Sequence, residues 1–235
     1  MAEKKTMIVE FNGLPGLGKT TVANLLVKVL NERGYTTITS HWRKNILNNF
    51  HHPFPELYNL DLYHRFVSFA RSIPPKGKKR THVHIVNFYV QKYAAIRKHC
   101  DADFAIIDEA IIQFWVAIAF NDIIPHDNEK VRAIINKLKD LHIEFIRVDC
   151  VNHVDSAAAR IKQRPQKNII FEKLEDADLL SALEVEAANF EYLRTVFSEM
   201  YENQPALTID TNENPEQNAK KITNFLIDIA NPHNK

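Results

Sequence analysis

A short run near the start of the chain, Gly13-Leu14-Pro15-Gly16-Leu17-Gly18-Lys19-Thr20, has the types and spacing G-x-x-x-x-G-K-[ST]. That arrangement suits a polyphosphate. A triphosphate must be met by several backbone N–H donors in a concave loop, and glycines let the backbone turn inward without a Cβ in the way. Gly18 and Lys19 open a helix, so the positive end of its dipole faces the loop. Lys19 can reach the outer phosphates, and the Thr20 hydroxyl can ligate Mg²⁺, which takes oxygen ligands in octahedral geometry. Thr21 follows on the first helical turn. The binding set is therefore Gly13, Leu14, Pro15, Gly16, Leu17, Gly18, Lys19, Thr20 and Thr21, for a nucleoside triphosphate with Mg²⁺; ATP is the expected one, though the loop itself does not choose between ATP and GTP.

The elements around this loop agree with it. Met7 to Phe11 is a short apolar run ending at Asn12-Gly13 and reads as a buried strand. From Lys19 the residues Val22, Leu25, Leu26, Val29 and Leu30 recur at helical spacing as far as Gly34, a suitable C-terminal cap. Tyr35 to Thr39 is a second strand. A strand, glycine loop, helix and strand form a βαβ unit, which predicts a parallel sheet with right-handed crossovers. Further strands are expected at Asp103–Asp108, Ile143–Val148 and Ala206–Asp210. Helices are expected over Ile111–Phe120, Asn128–Leu141, Val154–Gln163, Leu174–Tyr201 and from Asn214-Pro215 to Ala230. Residues 41–100 interrupt the alternation with two helices, Glu56–Ser72 and His82–His99, joined by the basic connector Pro74–Arg80. Asp108 ends the third strand, where an acid can hold Mg²⁺ with Thr20. Glu109 follows as a candidate for positioning a nucleophile.

Composition bounds the classes. The 235 residues carry 30 Lys and Arg against 29 Asp and Glu, so no basic field argues for nucleic acid. Two cysteines, Cys100 and Cys150, make no multi-bridge framework and no CxxC. The charged start is followed by an apolar run too short for a signal peptide or a membrane span, so a cytoplasmic protein without membrane partner is expected. No HExxH or Cys/His set suggests zinc, and no G-x-S-x-G suggests a serine nucleophile. The very apolar Ile111–Phe120 segment is a candidate face for a homodimer.

With these motifs the sequence resembles the P-loop kinases of the nucleoside and nucleotide monophosphate kinase group, the thymidylate kinase-like proteins among them. The resemblance rests on the loop, on Arg160-Ile161-Lys162-Gln163-Arg164-Pro165 after the fourth strand, and on Leu207 to Pro215. It implies a three-layer α/β sandwich in a single domain, residues 1–235, with a five-stranded parallel sheet in the order 2-3-1-4-5. It implies a lid-like segment at 153–172 whose Arg160 and Arg164 clamp phosphoryl oxygens, and a last strand and loop near the adenine. It makes the helical insertion the acceptor-binding region, with Arg43, Arg65, Arg71, Tyr89, Gln91 and Arg97 as substrate contacts. Catalysis would rest on Lys19, Asp108, Glu109, Arg160 and Arg164, and the partner would be a small-molecule phosphoryl acceptor.

Two departures bear on the acceptor. The second strand ends in Ser40-His41-Trp42-Arg43, without the carboxylate that deoxynucleoside kinases use as general base; His41 is a candidate for that role and equally for packing or orienting a substrate beside Trp42. Asp108 is followed by Glu109-Ala110, without the arginine of thymidylate-type kinases. An ATPase that uses Glu109 to orient water and a nucleotide-binding protein without turnover stand as alternatives. The guanine-reading N-K-x-D is missing, since Asn136-Lys137 runs into Leu138-Lys139.

Overall fold

In a computed structural model, residues 6–39, 60–73, 86, 89–90, 92–93, 96–97, 100–108, 111–164 and 170–231 are described. Five strands, β1 (Met7–Asn12), β2 (Thr37–Thr39), β3 (Phe104–Ile107), β4 (Ile146–Val151) and β5 (Ala206–Asp210), form one sheet. Its order is β2-β3-β1-β4-β5 and every pairing is parallel. Parallel strands need crossovers, and the intervening helices supply them. These are α1 (Lys19–Glu32), α2 (Leu60–Ser72), α3 (Ile111–Ile118), α4 (Glu129–Asp140), α5 (Val154–Lys162), α6 (Asp176–Met200) and α7 (Pro215–Ala230), with a 3₁₀ turn at Ile170–Lys173. Val86, Tyr89, Val90, Lys92, Tyr93, Ile96 and Arg97 are also helical. No helix among the described residues is long and apolar enough to cross a membrane.

The two faces of β1 are dictated by its alternation. Ile8 joins one apolar cluster with α2, α3, α4 and α6, while Val9 and Phe11 join another with α1, α5 and α7. Glu10 and Asn12 share the face of Ile8, opposite Arg147 and Asp149 of β4 in register. The central strands thus carry a polar row on one buried face.

Most element ends lie within two residues of the sequence reading. β4 differs: it starts at Ile146 rather than Ile143 and runs on to Val151. The Ile143 N–H closes α4 on the Leu138 carbonyl, after His142 takes a φ of 52°. At the other end Asp149, Cys150 and Val151 continue the ladder against β5. α5 ends at Lys162, so Arg164 lies beyond the helix and does not share a face with Arg160. The apolar residues of α3 are spent on this chain's own core: Ile111, Ile112, Trp115, Val116 and Ile118 are all buried there.

Candidate nucleotide site

The loop between β1 and α1 is held by its backing. Gly13, Gly16 and Gly18 take φ values of 135°, 87° and 82°, a region that L side chains avoid. A Cβ on Gly13 would lie 2.4 Å from the Cys150 carbonyl oxygen, and one on Gly16 2.6 Å from that of Ala157. The loop therefore rests on β4 and α5 with no room for a side chain. Leu14 and Leu17 anchor it from inside, buried with Ala157, Ile161 and Leu183.

α1 begins without a side-chain cap and without an acid in its first turn. Its first N–H groups have no intrahelical acceptor, and the dipole there favours an anion. Lys19 is buried, and its Nζ donates to the Gly13 and Leu14 carbonyls at 2.8 and 2.9 Å. The lysine thus lies curled inside the loop where outer phosphates would fit. One residue on, the Thr20 hydroxyl donates to the Asp108 carboxylate at 2.8 Å. A hydroxyl and a carboxylate oxygen at that separation are hard donors that fit two neighbouring vertices around Mg²⁺.

α5 brings Arg160 against the loop. Its guanidinium donates to the Leu17 carbonyl at 3.3 Å and to the Thr211 carbonyl at 3.2 Å, which ties the loop to the turn after β5. Asn152 and Asn212 pair their amides reciprocally at 2.8 Å beside it. Arg164 is directed elsewhere and faces the buried Glu172 at 3.5 Å.

Of the acceptor contacts expected from the sequence, Arg43 and Gln91 lie outside the described residues, as do Glu109 and His41. Arg65 pairs with Asp61 on the exposed side of α2, and Arg71 is exposed in its last turn. Tyr89 stacks on Phe114. Arg97 binds the His142 carbonyl and Glu144 at 2.6 Å each, just before β4 begins. That is the opposite end of the sheet from the loop.

The structure adds groups that the motif search passed over. Glu10 is fully buried; Tyr93 donates to it at 2.5 Å and the Ile112 N–H at 2.9 Å. Burial pushes its carboxyl up to about 7 against those hydrogen bonds. Arg147 holds Asp149 at 2.9 Å and reaches Ser198 on α6. Burial raises the Asp149 carboxyl, and Arg147 opposes that rise. Glu186 of α6 is buried as well. The available signal was an acid or base at a strand or helix position whose neighbours are all apolar.

With this geometry in place, comparison with solved structures is informative about the fold. A structure of deoxyadenosine kinase from M. mycoides, with products dCMP and a flexible dCDP bound, matches with a TM-score of 0.52. The match covers 95% of this chain and 100% of that one, at 14% identity. The chain has the fold of this P-loop nucleoside kinase. A second structure of that enzyme, with bound dATP, gives a TM-score of 0.48 at 16% identity, covering 94% and 100% of the two chains. No protein-family model matches the sequence, and no curated protein matches it.

Proposed function

We propose that this chain is a Mg²⁺-ATP-dependent kinase that transfers a phosphoryl group to a small-molecule acceptor, a nucleoside or a nucleotide. The observation that carries the reading is the joining of Thr20 to Asp108 at 2.8 Å beside a buried Lys19. A loop that only turned the chain would need neither a metal-ligating pair nor a lysine folded into its hollow. The fold likeness to an enzyme whose structure has dCMP and dCDP bound supports the nucleoside class of acceptor.

Each residue has a physical task in this reading. Lys19 exchanges the Gly13 and Leu14 carbonyls for donor phosphate oxygens, which form stronger charge-assisted bonds. The N–H groups at the start of α1 face the same oxygens. Thr20 and Asp108 would hold Mg²⁺, which neutralises charge that builds on the phosphates. Arg160 keeps the loop and the turn after β5 at a set distance, and its guanidinium is placed for the donor nucleotide. Transfer depends chiefly on positioning and electrostatics, so the missing acid after β2 is compatible with it.

The test is ATP consumption with Mg²⁺ against a panel of nucleosides, nucleotides and small alcohols, with a control lacking any acceptor. Turnover confined to one acceptor class is the expected result. Equal turnover without an acceptor replaces the kinase with an ATPase. Lys19→Ala is expected to lower transfer by at least ~10²-fold with an unchanged circular dichroism spectrum, and a fully active variant refutes the assignment.

A further inference from the structure

Between α6, β1 and β4 lies a cleft of ≈ 180 Å³. Gly13, Leu14 and Leu17 of the loop line one part of it, and Ile112 and Phe190 give it apolar walls. Its polar lining is set by the sheet. Asn12 of β1 and Asp149 of β4 are Cα partners in register, and Arg147 lies beside them.

The hydrogen-bonding capacity of this lining is unevenly used. Each nitrogen of Arg147 has an acceptor: Asp149 Oδ2 at 2.9 Å, the Arg194 carbonyl at 3.4 Å and the Ser198 hydroxyl at 3.0 Å. Arg194 in turn pairs with Glu191 at 2.7 Å. Acceptors are left over. Asn12 is 3% exposed, and its Oδ1 has no partner among the described residues. Its Nδ2 reaches the Glu10 carbonyl only at 3.5 Å, so the amide is loosely held and can turn. Asp149 is 7% exposed, and among the described residues only its Oδ2 takes a hydrogen bond. Buried acceptors without donors are destabilising, so the pair calls for donors from outside the chain.

The chemistry of those donors follows by elimination. Arg147 balances Asp149, so the pair carries no net charge. An anion would meet the Asp149 carboxylate, and a cation would meet the Arg147 guanidinium. Neutral hydroxyls suit both acceptors. Partners on adjacent strands stand about 4.8 Å apart, which two hydroxyls on neighbouring carbons can span with bonds of about 2.8 Å. The apolar walls suit a carbon skeleton. The volume lies below the roughly 300–1,000 Å³ that encloses a drug-sized ligand, so the cleft takes one part of a nucleoside. We propose that this cleft seats the sugar of the acceptor, and that Asn12 and Asp149 bind its two vicinal hydroxyls, which makes the acceptor a ribonucleoside or its monophosphate. This rests on the kinase reading for the nature of the acceptor. A ribose in the cleft lies against Gly13 and Leu14, next to the donor phosphates.

The test compares each nucleoside and 5′-monophosphate with its 2′-deoxy and 3′-deoxy forms, by turnover with MgATP and by calorimetric binding in the presence of MgADP. The ribose forms are expected to exceed both deoxy forms by at least ~10-fold in kcat/KM and in affinity, because a site built to bond a hydroxyl rejects the analogue without it. Asn12→Ala is expected to abolish discrimination at one hydroxyl and keep it at the other, a split that a general loss of structure does not produce. Equal use of ribose and deoxyribose acceptors overturns the proposal and leaves the kinase standing, as do unchanged ratios in Asn12→Ala. Selective binding of the ribose forms without turnover supports the cleft assignment and removes the kinase. Neither binding nor turnover removes both. If Asn12→Ala does not fold, the wild-type ratios decide alone.

Discussion

Glu10 places a carboxyl in the middle of the central strand, where the tyrosine hydroxyl of Tyr93 and the N–H of Ile112 meet it. Its titration is raised from 4.5 to about 7. Between those values the native protein holds a proton that the unfolded chain has released. Stability from this group is therefore complete below pH 4.5, falls as pH rises, and is flat above 7. The loss across the window is about 3 kcal/mol. Glu10→Gln should lose this share of the decline, read as urea midpoints at pH 5 and pH 7 for the two proteins. The sequence showed this residue as the one acid in an apolar strand. It could not show the partner, because Tyr93 stands 83 residues away. Thr20 was legible from its place in the motif and Asp108 as the acid that ends an apolar strand, and the fold joins them. Arg164 was set beside Arg160 by the resemblance alone; its guanidinium lies past the end of α5 and faces Glu172.

α3 shows how far periodicity reaches at the scale of an element. Its run of apolar residues predicts burial and gives no direction, so an interior face and a dimer face read alike. In the fold Trp115 stands edge-on to Phe66 and Phe69 of α2 and to Phe197 of α6, at 5.6, 5.9 and 5.9 Å. One ring thus binds three helices into a layer behind the loop. Trp115→Ala should cost about 3–5 kcal/mol, measured by chemical denaturation, and the Trp115→Phe variant should recover much of it. β4 teaches a related point. Ile143 looks like a strand residue by type, yet its N–H is used to close α4. The missing information was hydrogen-bond competition, which composition does not encode.

At the scale of the whole molecule, parallel pairing was legible because a strand, helix and strand in succession need a crossover of one hand, while the strand order came from the resemblance and is the order found. The acceptor region was much less so. Long polar side chains on an inserted helix can point at either end of the sheet, and Arg97 points away from the loop to Glu144. Its pair lies beside a cavity of ≈ 590 Å³ lined by Met7, Ile146, Tyr201 and Gln204, where the strands begin. Arg97→Ala should therefore lower stability by roughly 1–3 kcal/mol and leave the acceptor KM unchanged. A raised KM would return Arg97 to the acceptor site.

The cramped seating of the loop has a consequence for inheritance. Gly13 and Gly16 are required by two carbonyls behind them, on Cys150 and Ala157, before any ligand is considered. A lineage that ceased to bind nucleotides would still be selected to keep both glycines, because losing them would strain the domain. Thr20 is exposed and Asp108 half-buried, and no backbone carbonyl crowds either as it does the glycines, so they would drift first. Among descendants of this fold, the pair and not the glycines records whether the chemistry survives.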